Sequence, residues 1–394
     1  MTADTLLPQD AHQATLIGRV WRPDIAAPCL VLARPDGLYD ATPIAATSAD
    51  LMAQEAPAEA INAAFAAGKL AKIADLSAVQ GHAACEGLAG GAAAHLHWLA
   101  PCDLQPIKAA GVTFVASMLE RVIEEQARGD AARAAGVREA ITQVIGENLR
   151  SLKPGSEQAM QVKALLIARG MWSQYLEVGI GKDAEIFTKS QAMSAVGTGA
   201  QVGIHPESQW NNPEPEIVLC VSPTGQVQGA ALGNDVNLRD VEGRSALLLG
   251  KAKDNNASCA IGPFIRLFDA HFGIDDVRQC DLAMQVTGND GFEMQGASSL
   301  KLISRDPLDL VAQTLHASHQ YPDGFMLFLG TMFAPTQDRH GPGTGFTHAV
   351  GDVVRISTPL LGTLTNAVNT SDKVAPWTFG VRDLMRSLAG RGVL

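Results

Sequence analysis

The segment from residue 216 to residue 235 restricts the fold most, because its pattern is typical of a β-hairpin. The sequence EIVLCVSPTGQVQGAALGND joins two apolar runs through a turn that contains Pro, Thr and Gly. Thr224 and Gly225 are predicted at the tip of this turn. The two runs are therefore expected to pair as antiparallel strands.

Two carboxylates stand at the start of the first strand. Residues i and i+2 of a strand point to the same face, so Glu214 and Glu216 project together. If the turn holds two or four residues, Asp235 lies directly opposite Glu214 and three carboxylates converge. A three-residue turn would shift the register and direct Asp235 away, although a kink at residues 233–235 could restore it.

Carboxylates this close repel each other unless water, protons or a cation compensate them. Three convergent oxygens favour a hard cation, so the pattern indicates Mg²⁺, Mn²⁺ or Ca²⁺ rather than Zn²⁺. The alternative is a solvated edge strand with acidic side chains.

Composition argues against several functional classes. The formal net charge of −11 over 394 residues disfavours a nucleic-acid partner, which needs clustered Lys and Arg. The six cysteines are scattered without a C-x-x-C pair, which indicates buried, reduced thiols. With neither a secretory signal nor an apolar run long enough to span a membrane, we expect a soluble, cytoplasmic protein that acts on a small molecule.

The chain is predicted to fold as an α+β protein, mostly β, with two domains. Residues 1–100 form a small N-terminal α+β domain and residues 101–394 a catalytic domain. Apolar residues at helical spacing predict a pair of helices from residue 117 to residue 149. From residue 179 onward strands dominate, with few helical segments such as residues 308–319. His316 and His319 are there assigned to a helix surface or a subunit contact.

Several long segments resemble the fumarylacetoacetate hydrolase family. Together they cover about residues 100–394. They include DAEIFTKSQAMSAVG (183–197), EPEIVL (214–219), GNDVNLRDVEG (233–243), AKDNNASCAIGPF (252–264), FLGTMFAP (328–335) and GDVVRISTPLLGTLTNAV (351–368).

The resemblance implies a mixed β-roll with a lid of helices, assembled as a homodimer or homotetramer. It also implies a divalent metal, usually Mg²⁺, which Mn²⁺ or Ca²⁺ could replace. The family's ligand positions map to Glu214, Glu216 and Asp235, and a further acidic position maps to Glu185. The resemblance and the hairpin argument thus indicate the same three carboxylates.

One motif departs from the family's C–C bond hydrolases, which use a His in the pattern G-x-N-Y-x-x-H-x-x-E. The corresponding stretch here is GVTFVASMLE, where Ser117 occupies the His position and Glu120 is retained. A second hydrolase His aligns with Ala192. This departure, and the segments at 253–264 and 320–346, resemble the branch of 2-keto-3-deoxy-pentonate dehydratases.

The implied reaction is a Mg²⁺-dependent dehydration in non-phosphorylative pentose catabolism. A pentonate derived from D-xylonate or L-arabinonate would give 2,5-dioxopentanoate, the semialdehyde of 2-oxoglutarate, because a metal that polarises the C2 carbonyl of a 2-oxo acid acidifies its C3 proton. Lys253 maps to the family's lysine near the substrate. A neighbouring dication and burial are expected to lower its pKa so that it acts as the base. The alternative roles are charge balance for Lys253 and Lys251 as the base.

Other positions receive supporting roles from the resemblance. Glu120 could protonate the departing hydroxyl while Ser117 bonds the substrate, unless both lie on a solvated helix face. Thr331 and Ser194 are candidates for holding the substrate carboxylate. Three further residues are predicted to support the site: Arg239 and Asp240 as an ion pair behind Asp235, and Lys189 beside Glu185.

Two other functions stay open at this point. An acylpyruvate or fumarylacetoacetate-type hydrolase would activate water through another residue, such as Glu120. A non-catalytic subunit would bind metal and ligand without turnover, although it would have no reason to keep the carboxylates together with Lys253.

Overall fold

The computed structural model describes residues 6–86, 88–128, 130, 152–168 and 172–393. Within the helix Val115–Ala127, the side chains of residues 115–117, 119, 120 and 124 lie outside this description. Strands contain more of the described residues than helices do, which confirms the predicted mostly-β class.

The strands are numbered in chain order. They are β1 Leu16–Arg22, β2 Ala27–Arg34, β3 Gly37–Asp40, β4 Lys72–Ala74, β5 His97–Leu99, β6 Ile107–Gly111, β7 Glu185–Ser190, β8 Gln201–Ile204, β9 Asn211–Asn212, β10 Pro215–Val221, β11 Val227–Asp235, β12 Asn237–Leu238, β13 Cys259–Leu267, β14 Asp281–Thr287, β15 Glu293–Ser299, β16 Phe325–Phe328, β17 Val353–Thr358 and β18 Gly362–Thr370.

The α-helices among the described residues are mostly short. They are Ser48–Met52, Pro57–Ala66, His82–Glu86, Val115–Ala127, Glu157–Ala168, Gln174–Ile180, Arg239–Glu242, Leu249–Lys253, Ile274–Arg278, Pro307–Thr314 and Val381–Gly390. In this part of the chain, no helix combines the length and the apolar character that crossing a membrane requires.

A mixed sheet of eleven strands forms the centre of the molecule, in the order β4-β3-β2-β1-β13-β11-β10-β16-β6-β7, with β5 paired to β1. Strands β6 and β16 are parallel, whereas β10 and β11 are antiparallel. Because β1 pairs with β13, the N-terminal strands extend the sheet that carries the hairpin. The domain boundary at residue 100 stays a prediction. A second sheet has five strands, in the order β15-β14-β17-β18-β8.

The predicted hairpin is β10–β11, and its register is set in two steps. The turn holds three residues, because Val221 pairs with Val227 and the Ser222 N–H donates to the Gln226 carbonyl at 2.8 Å. A bulge between Cys220 and Val221 then shifts the register, so that Glu216 pairs with Gly233. The bulge thus performs the correction that the sequence had placed at residues 233–235.

The hairpin separates two apolar clusters, one on each face. Ile217, Leu219 and Leu232 belong to one cluster, and Val218 and Ala231 to the other. Alternation along the strands continues this second face to Glu216, Glu214 and Asp235. The carboxylates therefore lie where a buried apolar face ends.

One predicted helix is confirmed, and another ends earlier than expected. The helix Val115–Ala127 confirms the first of the predicted pair, whereas the second falls on residues outside the description. The segment predicted as helical to residue 319 was wrong at its end, because the helix stops at Thr314. Beyond it, His316 and His319 exchange backbone hydrogen bonds of 2.9 and 3.0 Å, so they form a turn instead of a helix surface.

Gly233 provides a test of how tightly the hairpin packs. A methyl group there would collide with the side chains of Phe328 and Val218. We expect Gly233→Ala to reduce the free energy of unfolding by about 2 kcal/mol, a typical cost of overpacking. Gly250→Ala is the matched control, since a methyl group at that exposed helical position meets nothing within 4 Å. Urea unfolding would measure both variants, and equal stability would contradict the close packing.

Candidate metal centre

Three buried carboxylates converge at the open end of the hairpin. Glu214 immediately precedes β10, Glu216 lies within it, and Asp235 ends β11. The Asp235 N–H donates to the Glu214 carbonyl at 2.9 Å, so the two residues face each other as the hairpin argument required. One oxygen from each carboxylate lies within 4.8 Å of the others, and the three residues are only 1–2% exposed.

Glu216 is oriented from the loop that follows β16. The N–H of Gly330 donates to Glu216 Oε2 at 2.7 Å. Gly330 has a φ of +102°, a conformation that favours glycine, and a side chain there would collide with Thr113. The glycine in the segment FLGTMFAP is therefore needed to present this backbone donor.

Two lysines lie beside the carboxylates. Lys253 ends the helix Leu249–Lys253, and its Nζ lies 2.5 Å from Glu214 Oε2 and 3.0 Å from Asp235 Oδ2. Lys189 Nζ lies 2.8 Å from Asp235 Oδ1 and also donates to the Lys253 carbonyl oxygen. Lys189 thus contacts Asp235, which corrects the expected contact with Glu185.

Arg121 and Glu242 are site residues that the sequence reasoning missed. Arg121 projects from the helix Val115–Ala127 and bonds Glu214 Oε1, while its Nη1 lies 3.0 Å from Glu242 Oε2. Arg121 is 7% exposed and Glu242 is 4% exposed. One signal could have found Arg121: it falls three residues after Met118 and one before Val122, on the buried apolar side of its helix.

Glu185 lies close to this cluster, and no ion pair joins it to a cation among the described residues. It begins β7 and is half-buried. Burial and the nearby charge of Glu242 raise its pKa to about 7, against the smaller opposing effects of Arg121 and Lys253. Its role as a metal ligand stays a prediction.

The charges in this cluster do not balance. Among the described side chains of the cluster, five carboxylates face three cations: Glu185, Glu214, Glu216, Asp235 and Glu242 against Arg121, Lys189 and Lys253. Two negative charges remain when all are ionised, which equals the charge a divalent cation would neutralise. The pKa of Glu216 reflects the imbalance, since burial, Asp235 and Glu214 together raise it well above its usual value.

The donor set also fits a hard divalent cation. Carboxylate oxygens without nitrogen or sulfur are the ligands that Mg²⁺, Mn²⁺ and Ca²⁺ prefer. Glu214 stays ionised for this purpose: burial would raise its pKa, but Arg121 and Lys253 outweigh burial and lower the pKa to about 2. The residues present therefore fit the predicted metal.

Lys253 stays protonated in this arrangement of side chains. Burial opposes its charge, but attraction from Asp235, Glu214 and Glu242 outweighs burial and raises its pKa above the usual value. This direction is opposite to the one expected for a base. A lowered pKa requires that a bound cation offset the attraction of the two carboxylates.

The predicted substrate-binding residues lie apart from the ion pairs. Thr331 follows Gly330, is 7% exposed, and donates to the Phe333 carbonyl at 3.1 Å. Ser194 is half-buried, with its hydroxyl 2.5 Å from that of Ser190. Their roles stay predictions. The side chains of Ser117 and Glu120 lie outside the described residues.

Arg239 and Asp240 differ from the expected ion pair. The Arg239 guanidinium lies over the Trp210 ring at 4.6 Å and donates to the Pro335 carbonyl at 3.0 Å. Asp240 accepts hydrogen bonds of 2.8 Å from the hydroxyl of Ser208 and the N–H of Gln209. Arg239 and Asp240 therefore bind different partners, because adjacent residues at the start of a helix project in different directions.

Comparison with known proteins finds a family that resembles this part of the chain. The model of the fumarylacetoacetate (FAA) hydrolase C-terminal family matches residues 177–369. The match covers just under half of the chain, and this segment is similar to the FAA hydrolase C-terminal family. All three carboxylates and both lysines lie within the matched residues.

Two curated relatives of this protein carry dehydratase names. The probable 2-keto-3-deoxyxylonate dehydratase of Haloferax volcanii is 28% identical over 216 residues, which cover 55% of this chain and 68% of the relative. The 2-dehydro-3-deoxy-D-arabinonate dehydratase of Saccharolobus solfataricus is 27% identical over 190 residues, which cover 48% of this chain and 60% of the relative.

Solved structures establish the fold. A 2-keto-3-deoxy-D-arabinonate dehydratase complexed with magnesium and 2,5-dioxopentanoate has a TM-score of 0.58 at 17% identity, covering 90% of this chain and 99% of that chain. A fumarylacetoacetate hydrolase from psychrophilic Exiguobacterium antarcticum has a TM-score of 0.53 at 16% identity, covering 91% and 100%. The FAA hydrolase-type fold expected from the sequence is confirmed.

Metal binding can be tested directly on the carboxylates. We expect Glu216→Gln and Asp235→Asn each to weaken Mg²⁺ binding at least about tenfold, because each removes an oxygen ligand and its charge. Glu293→Gln, at an exposed acidic position on β15, is the control and should bind like the wild type. Isothermal titration calorimetry would measure all three. Unchanged affinity in both site variants would exclude this metal centre.

Lys253 and Lys251 form a matched pair for a stability test. Lys253 is buried between two carboxylates, whereas the Lys251 side chain is 45% exposed. We expect Lys253→Met to destabilise the protein by about 3 kcal/mol in EDTA, because it leaves buried charges without their partner. Mg²⁺ should recover part of this loss. Lys251→Met should leave the stability unchanged both in EDTA and in Mg²⁺.

Thermal unfolding with and without Mg²⁺ would measure the two lysine variants. If Lys253→Met unfolds at the wild-type temperature in EDTA, the proposed charge balance is wrong.

Proposed function

We propose that this protein is a Mg²⁺-dependent hydro-lyase that converts a 2-keto-3-deoxy-pentonate into 2,5-dioxopentanoate. The observation that carries the proposal is the position of Lys253, whose ammonium group touches both Glu214 and Asp235. This buried cation stands beside the candidate metal centre, in a segment similar to the FAA hydrolase family, and the curated relatives of the chain are named as dehydratases.

The carboxylates would hold the cation through Glu214, Glu216 and Asp235. When bound, the divalent cation would supply Lewis acidity toward a chelating 2-oxo acid and would offset the carboxylate attraction that raises the pKa of Lys253. Mg²⁺ is the proposed ion, with Mn²⁺ or Ca²⁺ as substitutes. Gly330 keeps Glu216 oriented through its N–H, and Lys189 keeps Asp235 in place.

Lys253 is proposed to accept the C3 proton of the substrate. The Lys253 side chain is 3% exposed, and the Lys189 ammonium group and the Ser258 hydroxyl fix its backbone, since both donate to the Lys253 carbonyl. A fixed, water-poor position suits a general base whose pKa depends on its neighbours.

The reaction removes one water molecule and needs no oxidant. The C3–H and C4–O bonds break, the C4 hydroxyl leaves as water, and a C3–C4 double bond forms. This 5-hydroxy alkene then tautomerises in two proton shifts: a C5 proton is lost while C3 gains one, which gives the C5 enol, and the C5 hydroxyl proton is then lost while C4 gains one, which gives the C5 aldehyde. We propose Glu120 as proton donor to the leaving hydroxyl, and Ser117, Thr331 and Ser194 as substrate contacts.

The competing function is an acylpyruvate or fumarylacetoacetate-type hydrolase. Such an enzyme needs a group that activates water. Among the described residues, the carboxylates of Glu214, Glu216 and Asp235 pair with Arg, Lys and a backbone N–H and with no histidine. This observation favours dehydration. A homodimeric or homotetrameric assembly and a cytoplasmic location are further parts of the proposal.

Product analysis tests the reaction. The Mg²⁺-loaded protein is incubated with 2-keto-3-deoxy-D-xylonate, 2-keto-3-deoxy-L-arabinonate or an acylpyruvate, with and without EDTA. We expect one of the keto-deoxy acids to lose the mass of one water only when metal is present. Lys253→Met should lose this activity by about a hundredfold or more, within the range for general bases.

The control is Lys251→Met, which should keep wild-type turnover. Formation of pyruvate and a carboxylic acid from the acylpyruvate alone would make the protein a hydrolase. Full activity in Lys253→Met would refute the role of Lys253 while leaving dehydration in place.

A further inference from the structure

A pair of buried asparagines continues the strand pairing that holds the carboxylates. Asn212 of β9 pairs with Asn237 of β12. Two residues further along each segment, Glu214 faces Asp235. The register is the same at both pairs and at the following pair, Glu216 and Gly233. The asparagine pair therefore lies two residues beyond the Glu214–Asp235 pair, with one residue between them on each segment.

The side chain of Asn237 lies on the carboxylate face of this ladder. Its neighbours Val236 and Leu238 both belong to the apolar cluster on the opposite face. Because side chains alternate along a strand, Asn237 points to the same side as Asp235. Asn212 pairs with it and shares that side.

Both asparagines are as inaccessible to solvent as the carboxylates. Asn212 is 2% exposed and Asn237 is 0% exposed. Asn212 Nδ2 donates to the Pro213 carbonyl at 2.9 Å. Asn212 Oδ1 and both polar atoms of Asn237 have no hydrogen-bond partner within the described structure.

Polar atoms buried without partners are costly, so a ligand group that satisfies them is expected. The free atoms are two carbonyl oxygens, which accept, and one amide nitrogen, which donates. A hydroxyl group matches this set, because it can donate to an oxygen while it accepts from the nitrogen. A phosphate or a second carboxylate does not match, since it would face two carbonyl oxygens.

The distance from the carboxylates suits the length of a five-carbon acid. Alternate residues of a strand are about 7 Å apart. Three C–C bonds of about 1.5 Å and one C–O bond cover most of that step. A substrate whose 2-oxo acid end lies at the carboxylates therefore brings its far end to the asparagines.

We infer that Asn212 and Asn237 bind the terminal hydroxyl of the substrate and select a sugar acid that carries no phosphate at that end. The inference rests on the proposed function for the position of the 2-oxo acid group. It assigns to these residues a specificity role, separate from proton transfer.

The test compares two ligands that differ by one hydroxyl. 5-Hydroxy-2-oxopentanoate carries the terminal hydroxyl and 2-oxopentanoate lacks it. Neither has a C4 hydroxyl to expel, so binding is measured without turnover. We expect the Mg²⁺-loaded wild type to bind the hydroxylated acid at least about tenfold more tightly in calorimetry.

The variants Asn212→Leu and Asn237→Leu should each lose most of this preference, because leucine keeps the side chain branched at Cγ without the polar atoms. Asn366→Leu is the control: Asn366 is also 2% exposed, but it bonds the carbonyls of Gly197 and Ala200. It should keep the preference even if its stability falls. If Asn237→Leu does not fold, Asn237→Ala replaces it.

Three results would overturn the inference. The wild type could bind both acids equally, or the leucine variants could keep the preference, as expected if the amides hold only buried water. The variants could also lose Mg²⁺ affinity to the extent of Glu216→Gln, which would place the amides among the metal ligands. A hydroxyl preference that depends on Asn237 would support the inference even if the keto-deoxy acids gave no product.

Discussion

The pairing of β10 with β11 determines most of what this protein can do. It places Glu214, Glu216 and Asp235 on one buried face, where three like charges are unstable unless cations offset them. The surrounding structure supplies those cations from different parts of the chain: Lys189 from β7, Lys253 from the helix Leu249–Lys253, and Arg121 from the helix Val115–Ala127. The hairpin register therefore places three negative charges together, and the other elements supply the positive charges that offset them.

The same register could be predicted only as one of two alternatives. The turn residues indicated a hairpin, but its three-residue loop by itself directs Asp235 away from Glu214. The bulge opposite Cys220 and Val221 reverses that effect by inserting Gln228 into β11, and neither Gln228 nor the adjacent Gly229 predicts a bulge by itself. Bulges of this kind depend on how two strands pack against their neighbours, which local sequence does not reveal.

The three carboxylates were easier to predict than their ion-pair partners. Carboxylates two residues apart before an apolar run leave a clear pattern, whereas Arg121 and Glu242 lie among other charged residues and become buried only when distant segments meet. The ion pair expected between Arg239 and Asp240 failed for the same reason: adjacency in sequence does not determine which partner a side chain reaches. Asn212 and Asn237 likewise gain significance only through their pairing across the ladder.

Charge balance and catalysis make opposite demands on Lys253. As a partner of Glu214 and Asp235 it must stay protonated, and its pKa is raised accordingly. As a base it must release that proton near neutral pH, which requires the carboxylates to be shared with another cation. The two negative charges left over in the cluster leave room for a dication without expelling the lysines or Arg121. One residue can then stabilise the protein before the metal binds and serve as the base afterwards, so the metal would link stability to activity through the protonation of Lys253.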